Sequence, residues 1–425
     1  MKYEKQVLSN GLTIVTVPSS DAESVVVDIF VKTGSRSEAK QEAGVSHFLE
    51  HFLFKGTKKY PTAMAINEIV DGIGGDMNAF TSKEVTQYYI KARSKYLPLI
   101  FDILTDMVQQ PLFDPAELEK EKGVIVEEMN MYKDMPQAVV DEALDLLMWP
   151  KDVLGQPIIG RKETITSFSP KIFHAYMRRH YQPSNMMIGV SGKFNSRELR
   201  NLIKKSWGPV KKQRAGGWRK VTDVQTKPRF KLLYKETEQA QLALGFKGFA
   251  NNDKRNPAMT VLSTILGGGM SSRLWDEIRE KRGLAYYVRC SGGSYQDTGQ
   301  FVVSAGVQIP KIQEAVEVIF SELKRVVDVL VDEKELLKAK EYLKGKTALA
   351  LEDNQVRLDW YLDQVAFKKV VLSPQAAYDR IDAVTRKDVQ AVAQQLFRSA
   401  QASLAVLGPY KDGALEKSLQ KAIKF

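Results

Sequence analysis

Apolar and polar positions along the chain predict two similar runs of secondary-structure elements. Alternation with a period of two indicates strands, whereas apolar residues three and four apart indicate helices. The first run is predicted to contain strands at 13–17 and 24–32, a helix at 45–54, a hairpin at 74–81 and 85–92, and helices at 96–108 and 115–132. The short apolar helix at 45–54 therefore lies between the second strand and the hairpin.

The second run repeats this order. Its predicted elements are strands at 229–236 and 240–245, a helix at 257–266, a hairpin at 285–292 and 300–307, and helices at 309–327 and 333–351. Corresponding elements lie about 215 residues apart, and such a repeat is typical of an internal duplication. We therefore predict an α+β protein of two homologous domains, each a mostly antiparallel sheet with helices packed on one face.

The segment between the two runs is rich in glycine, proline and basic residues. It opens with Trp207-Gly208-Pro209 and contains Gly216-Gly217, and every charged residue from Lys211 to Lys220 is basic. This composition is typical of a solvated linker. We therefore predict a first domain at 1–207, a linker at 208–228 and a second domain at 229–425. The length of 425 residues agrees, since one hydrophobic core rarely supports so long a chain.

The composition excludes several kinds of protein. The chain is 44% hydrophobic and 27% charged, as in ordinary globular proteins. Its single cysteine, Cys290, excludes an internal disulfide framework and a thiolate zinc site, so any metal would be held by histidines and carboxylates. No apolar run approaches the roughly 18 residues of a membrane span, and the N-terminus does not resemble a secretory signal. These features predict a cytoplasmic protein without a membrane partner.

The formal net charge of +11 raises a second hypothesis, that the chain binds nucleic acid. Its lysines and arginines are spread along the whole chain rather than clustered with aromatic residues, and no zinc-finger spacing occurs. A basic surface that attracts acidic peptides explains the charge equally well. We therefore predict no nucleic-acid partner. The rejected hypothesis would require steeply salt-dependent binding without a metal.

Two of the four histidines lie in one apolar helix, predicted at 45–54. His47 and His51 are four residues apart, so both imidazoles project from the same face. The remaining residues are mostly phenylalanine and leucine, and burying two imidazoles and the Glu50 carboxylate among them would cost on the order of several kcal/mol. A divalent cation removes that cost, and Zn²⁺ at about 2.0–2.1 Å suits neutral imidazole nitrogens.

Glu50 directly precedes His51 and borders the face that carries both histidines. It is therefore the candidate base for a metal-activated water, in the order H-x-x-E-H. The alternative is two core histidines bonded to the backbone and a glutamate that points to solvent. An isolated pair of histidines would favour that alternative, but the complete set in an apolar helix favours catalysis.

A catalytic zinc requires a third protein ligand beside an open position. The other two histidines, His174 and His180, lie in a mixed, basic run, and we predict that both are surface residues. The helix predicted at 115–132 offers a better source, because its core-facing stripe contains carboxylates. That stripe consists of Leu118, Glu121, Ile125, Glu128 and Tyr132.

Two glutamates thus interrupt an otherwise apolar stripe, two helical turns apart. We predict Glu128 as the third ligand and Glu121 as a carboxylate that orients a ligand. Glu127 lies about 100° away around the helix and is expected to face solvent. The alternative is that this acid-rich helix is merely well solvated. That alternative explains Glu117, Glu119 and Glu127.

Taken together, these residues resemble the pitrilysin/insulinase family of zinc metallopeptidases, in particular its short-chain branch with the mitochondrial processing peptidase and bacterial relatives. The family pattern has a ligand glutamate about 76 residues beyond H-x-x-E-H, and here 76 residues separate His51 from Glu128. The family's auxiliary glutamate falls on Glu121. The resemblance covers essentially the whole chain and implies a metalloendopeptidase with one Zn²⁺ per chain.

The resemblance also implies substrate-binding residues. Asn78, Ala79 and Phe80 match the strand that receives the substrate backbone beside the metal, whereas without the resemblance they would belong to an ordinary hairpin. Arg279 and Tyr286 match an Arg/Tyr pair that points to the scissile carbonyl, where donors stabilise developing negative charge. Interpreted alone, Arg279 would be a surface helix residue and Tyr286 a strand residue.

The same resemblance implies how the chain assembles and what it cuts. The H-x-x-E-H motif and the Arg/Tyr pair occur in one chain, which favours a clamshell homodimer whose closed chamber takes peptides or unfolded segments. No histidine follows His180, so one metal site per chain is expected. The alternative is a catalytically silent scaffold or core-subunit relative, although such relatives commonly have degraded metal motifs and this motif is intact.

Overall fold

The computed structural model describes residues 2–411 and 413–423. The chain divides into two compact units, of which unit 1 comprises Met1–Met129, Pro157–Arg219 and Leu349–Ser373. Unit 2 comprises Asn130–Gln156, Lys220–Ala348 and Pro374–Phe425. Each unit combines one mixed sheet with helices, which confirms the predicted α+β class. The proposed boundaries at 207/208 and 228/229 stay predictions, and no helix or strand lies between Trp207 and Arg229 in the described chain.

Unit 1 is built on a six-stranded sheet. Its strands are β1 (Glu4–Val7), β2 (Thr13–Pro18), β3 (Ser24–Val31), β4 (Asp76–Thr81), β5 (Thr86–Arg93) and β6 (Met186–Gly192). The spatial order is β1-β2-β6-β3-β5-β4. Only β2 and β6 run parallel, and the other neighbours are antiparallel. β4 lies at the edge of this sheet, where its outer side has no neighbouring strand among the described residues.

Unit 2 contains a five-stranded sheet of the same kind. Its strands are β7 (Arg229–Tyr234), β8 (Ala240–Gly248), β9 (Ala285–Ser294), β10 (Gly299–Val307) and β11 (Ser403–Gly408). The spatial order is β7-β11-β8-β10-β9, with β7 and β11 parallel and the other neighbours antiparallel. This order repeats the spatial order β2-β6-β3-β5-β4 of the first sheet. The predicted succession of strands and hairpin therefore recurs in three dimensions.

The helices follow the same repeated order. Those of the first half are α1 (Val45–Phe52), α2 (Ala63–Gly72), α3 (Leu97–Gln109), α4 (Pro115–Asp134), α5 (Pro136–Met148), α6 (Lys162–Ser167), α7 (Pro170–His180) and α8 (Ser196–Trp207). Those of the second half are α9 (Asn256–Gly267), α10 (Ile312–Asp328), α11 (Glu333–Ala350), α12 (Asn354–Phe367), α13 (Pro374–Asp382), α14 (Arg386–Leu396) and α15 (Gly413–Ala422). No helix of the described chain combines the length and the hydropathy that a membrane span requires.

One helix of each unit comes from the other half of the sequence. In unit 1, Leu358 and Leu362 of α12 pack against Val15 and Phe30, on the sheet face opposite the main helical layer. In unit 2, α5 covers the corresponding face of the second sheet. The predicted arrangement had helices on one face only. The structure adds one helix to the other face because each sheet presents apolar residues on both sides.

Two predictions about exposure were wrong. His180 is buried, with 1% of its surface exposed, because its ring packs on Tyr176 at 4.5 Å and faces Gly216 of the connecting segment. Tyr132 was assigned to the buried stripe of α4 but is 40% exposed. By contrast, His174 is exposed as predicted, and Cys290 is a free thiol whose pKa burial raises strongly.

The contact between α12 and the first sheet encloses a pair of carboxyl groups. Asp28 of β3 is fully buried, and its Oδ2 accepts weak hydrogen bonds (3.3 Å) from the amides of Gln87 and Gln355. Both amides also donate to Oδ1 of Asp359, at 3.0 and 3.1 Å. Burial, with the charges of Asp359 and Asp363, raises the pKa of Asp28 well above its usual range.

We expect this pair, through the buried Asp28, to make unit 1 less stable as the pH rises. The folded chain holds a proton on Asp28 that the unfolded chain releases near pH 4, so the contribution of Asp28 to the free energy of unfolding is largest below that pH and is lost as the pH rises through the folded-state pKa. Asp28→Asn should therefore raise the melting temperature at pH 8 and have little effect at pH 4. The exposed Asp71→Asn is the control. A lower melting temperature of Asp28→Asn at pH 8 would contradict the expectation.

Candidate metal centre

The helix α1 begins at a glycine that no other residue replaces easily. Gly44 has φ of +95° and lies so close to Ile159 that an added Cβ would be 2.6 Å from its carbonyl oxygen. One face of α1 packs into the core of unit 1, where Phe48 and Phe52 contact Phe173 with ring centroids 4.9 and 5.2 Å apart. This packing fixes the rotation of the helix and turns both histidines towards α4.

His47, His51 and Glu128 lie together in unit 1. One ligand atom from each lies within 4.8 Å of the others, and no other group of three such residues is found in the described chain. Oε2 of Glu128 is 3.6 Å from Nε2 of His47 and 3.5 Å from Nε2 of His51. These distances exceed those of good hydrogen bonds. They fit a tetrahedral ion, whose ligand atoms at about 2.0–2.1 Å lie roughly 3.3 Å apart.

The hydrogen bond between His51 and Glu121 also favours a cation at this point. Nδ1 of His51 is 2.9 Å from Oε1 of Glu121, which can only accept, so Nδ1 carries a proton and the neutral ring would present its Nε2 lone pair to the carboxylate of Glu128. Two acceptors that face each other repel unless a proton or a metal ion lies between them. The buried Nδ1 of His47 has no hydrogen-bond partner among the described residues. The residues present therefore fit a zinc ion.

Glu121 orients His51 and is itself held by a lysine. It is 2% exposed, and its Oε2 lies 2.6 Å from Nζ of Lys55. Burial favours the neutral form of Glu121, but the hydrogen bonds from His51 and Lys55 outweigh burial and lower its pKa. Burial likewise favours neutral His51, but the neighbouring carboxylates, Glu121 first, raise its pKa. The carboxylates of Glu121, Glu128 and Glu50 around His51 therefore favour positive charge at this point.

Neighbouring glutamates of α4 lie on different sides of the helix, as their helical phase predicts. Leu118, Glu121 and Ile125 are buried and Glu128 is half-buried, whereas Glu127 is exposed. Met129, which was not predicted as a core residue, is buried beside them. The ligand role of Glu128 stays a prediction, but its side chain alone of the two adjacent glutamates faces α1.

Glu50 lies beside this cluster with an open carboxylate. It is half-buried, and among the described residues it has no hydrogen bond or salt bridge. Burial raises the pKa of Tyr88 and of Tyr181, whose hydroxyls are 2.9 Å apart, and the charge of Glu50 adds to both shifts. The charge of Glu50 also favours the protonated form of His51. Glu50 is therefore close to the histidines and keeps free lone pairs with which to accept a proton.

The predicted substrate residues occupy the edge strand β4. Asn78 and Phe80 are exposed, and Phe80 is 52% exposed. Met77 and Ala79 alternate with them and pack against the core that contains α1. The main-chain N–H of Ala79 donates to Oδ1 of Asn78 (2.8 Å). The strand thus has one face on α1 and an edge without a neighbouring strand in the described part of the chain.

Arg279 and Tyr286 lie together in unit 2. Arg279 is in a π-helical turn, Trp275–Glu280, and its guanidinium lies 4.3 Å from the Trp275 ring and 5.2 Å from the Tyr286 ring. It also donates a hydrogen bond to the carbonyl oxygen of Tyr286. Tyr286 is 70% exposed. The pair is therefore preformed, and its phenol is accessible.

Sequence reasoning missed one residue of the cluster. Lys55 was not predicted, although it lies four residues after His51 and continues the same side of the chain. The missing signal was its partner, because only the folded chain shows that Glu121 is close enough to bind both residues.

Comparison with known proteins gives a consistent result. A family model described as insulinase (peptidase family M16) matches residues 13–162. A second, described as the peptidase M16 inactive domain, matches residues 167–343. The two models together span most of the chain, and the cluster around His47 lies within the first.

Relatives resemble the chain over nearly its full length. An uncharacterised zinc protease of Streptomyces coelicolor is 35% identical, over 95% of this chain and 89% of its own. One of Bacillus subtilis is 36% identical, over 94% and 97%. Among solved structures, a protease from Helicobacter pylori is 25% identical with a TM-score of 0.89, and the match covers 96% of this chain and 99% of the other.

Proposed function

This chain belongs to the insulinase family, peptidase family M16, and we propose that it is a zinc-dependent endopeptidase that hydrolyses peptides or unfolded segments. One observation carries the proposal. His47, His51 and Glu128 present three donor atoms to one point in unit 1. Three protein ligands and one open position are the pattern of catalytic rather than structural zinc.

The residues around this point have separate roles in the proposed reaction. A bound zinc ion supplies a Lewis acid that polarises a carbonyl and lowers the pKa of water. Glu50 accepts a proton from the attacking water and delivers it to the leaving amine, for which its open carboxylate is suited. Glu121 holds His51 in the tautomer with a free Nε2, and Lys55 holds Glu121 in place.

The substrate is proposed to bind as an extended strand along β4. The exposed edge at Asn78, Ala79 and Phe80 can pair with a peptide backbone while contacting few side chains. Arg279 and Tyr286 are proposed to steady the substrate or its oxyanion with two hydrogen-bond donors. Such binding requires an extended chain and therefore selects peptides and unfolded segments over folded proteins.

A catalytically silent scaffold is the alternative function within the same family. The match of residues 167–343 to an inactive-domain model favours it for that part of the chain. The cluster in unit 1 favours catalysis, because a scaffold does not require two histidines and a carboxylate to converge on one point. A homodimer and a cytoplasmic location stay predictions. The homodimer is supported by the presence of both the metal motif and the Arg/Tyr pair in one chain.

Metal analysis and peptide cleavage, measured on the same preparation, test the proposal. We expect close to one zinc ion per chain and cleavage of an unstructured quenched-fluorescence peptide. Removal of zinc with a chelator should abolish cleavage, and stoichiometric zinc should restore it. Zinc binding without cleavage of a diverse peptide library would favour the scaffold. Cleavage that persists in the metal-free protein would contradict the proposal.

A further inference from the structure

Residues 34–44, which lie in the segment between β3 and α1, contact the two parts of unit 1 that the proposed reaction requires. It contains two buried charged side chains, Arg36 and Glu38, which are 1% and 5% exposed. Glu38 is directed at the start of the metal-binding helix α1. Arg36 is directed at the hairpin that begins with the proposed substrate strand, β4. Neither side chain has a part in the chemistry proposed above.

Glu38 caps the metal-binding helix from outside it. Its Oε2 accepts the main-chain N–H of Gly44 at 2.8 Å, and its Oε1 accepts that of Ser46 at 2.9 Å. These N–H groups at the N-terminus have no partner within the helix, and the helix dipole favours a negative charge there. Burial raises the pKa of Glu38 to about 7, and the bonds from Ser46 and Gly44 oppose that rise.

The residue after this cap is a predicted metal ligand. Ser46 precedes His47, and its hydroxyl is 2.8 Å from that of Tyr176 on α7. The backbone of the first turn is therefore held on both sides of Ser46, by Glu38 at the amide and by Tyr176 at the side chain. Any shift of this turn moves His47 relative to His51, which lies one turn further along the helix.

Arg36 holds the hairpin between β4 and β5. Its Nη1 is 2.6 Å from Oε1 of Glu84, and its own N–H donates to the carbonyl oxygen of Lys83 at 2.8 Å. The neighbouring N–H of Ser35 donates to the carbonyl oxygen of Ser82 at 3.1 Å. The guanidinium also stacks on Trp218 (4.1 Å) and donates to the carbonyl oxygen of Arg219.

We propose that residues 34–44 form a brace in which Glu38 positions the metal-binding helix and Arg36 positions the substrate strand, each acting on its own side. The inference rests on the proposed function, since it assigns these residues to the zinc site and the edge strand described above. Both are positioning residues, because neither contacts the cluster or the exposed edge of β4. The brace predicts that replacing Glu38 weakens zinc binding and that replacing Arg36 weakens substrate binding, each without the other effect.

Glu38→Gln tests the metal side. Glutamine offers one acceptor oxygen for two N–H groups, so the first turn loses one bond. We expect the dissociation constant for zinc, measured by chelator competition, to rise roughly 10-fold. Excess zinc should restore kcat, and KM should change little. Asn195→Ala is the matched control, because Asn195 accepts two main-chain N–H groups (2.9 and 3.1 Å) at the start of α8, far along the chain from the ligands.

Arg36→Lys tests the substrate side. Lysine keeps the charge but cannot contact Glu84 and Arg219 together. We expect KM for an extended peptide to rise about 3- to 10-fold and the zinc dissociation constant to stay within 2-fold. The control is Arg179→Lys, which changes an ion pair to Glu42 of the same segment.

The results separate failure of the brace from failure of the proposed function. If the wild type binds no zinc and cleaves no peptide, the proposed function is wrong and the brace with it. If the wild type does both and Glu38→Gln keeps its zinc affinity, or Arg36→Lys keeps its KM, the brace alone is overturned. Equal loss of zinc in Asn195→Ala would also overturn it. Should Glu38→Gln not fold, Glu38→Asp, which retains the charge on a shorter side chain, provides the same comparison.

Discussion

Glu50→Gln is expected to lower peptide hydrolysis by roughly 10²–10⁴-fold while the protein keeps its zinc. The carboxylate of Glu50 is half-buried beside the histidines and has no hydrogen bond or salt bridge among the described residues, so its replacement breaks no polar contact. Glutamine has nearly the same shape but cannot accept the proton of the attacking water. The measurement is kcat/KM for a quenched peptide, with zinc content determined on the same sample.

The two readouts make this result specific. Near-stoichiometric zinc with lost turnover is the signature of a missing base, whereas loss of both would assign Glu50 to metal binding. Retained turnover in a variant with full zinc content would contradict the mechanism. An unchanged melting temperature would exclude unfolding as the cause of lost activity.

Glu128→Gln is expected to weaken zinc binding by more than the roughly 10–100-fold that follows from changing a residue outside the ligand set. The carboxylate contributes the only negative charge among the three converging donors, and its Oε2 lies 3.5 and 3.6 Å from the two imidazole nitrogens. An amide oxygen in its place is a poorer ligand for zinc. Activity should be lost with the metal and return only in part at high zinc concentration.

The neighbouring residue provides the control. Glu127→Gln changes the same functional group one position earlier in α4, where the side chain is exposed. It should leave zinc affinity and turnover near wild-type values. If Glu127→Gln lost zinc and Glu128→Gln did not, the assignment by helical phase would be wrong. Zinc titration with a competing chelator distinguishes these outcomes directly.

The helical phase of α4 shows how far a local pattern can be trusted. Spacing along the sequence predicted that Glu121 and Ile125 share a buried face and that Glu127 does not, and the structure agrees. The same pattern was wrong for Tyr132, which lies at the end of the stripe and is exposed. Periodicity fixes the direction of a side chain, but whether another element covers that direction depends on where the core ends.

The sequence patterns did not predict that each unit takes one helix from the other half of the chain. Local periodicity does not distinguish a helix that packs on its own sheet from one that packs on the other sheet, because both require an apolar face. Leu358 and Leu362 meet the first sheet although more than a hundred residues of the second half precede them. His180 was misassigned for a related reason, since its cover comes from Tyr176 and the distant Gly216.

The sequence by itself determined the α+β class, the repeated order of elements and the pairing of His47 with His51, because these depend on periods of two and 3.6 residues within short segments. It also separated Glu128 from Glu127. Only the tertiary structure decided which distant groups meet, such as Lys55 with Glu121, Glu38 with the start of α1, and Arg36 with the β4–β5 hairpin. Those contacts join residues on different elements, and their distances are set by how helices and strands pack rather than by spacing along the chain.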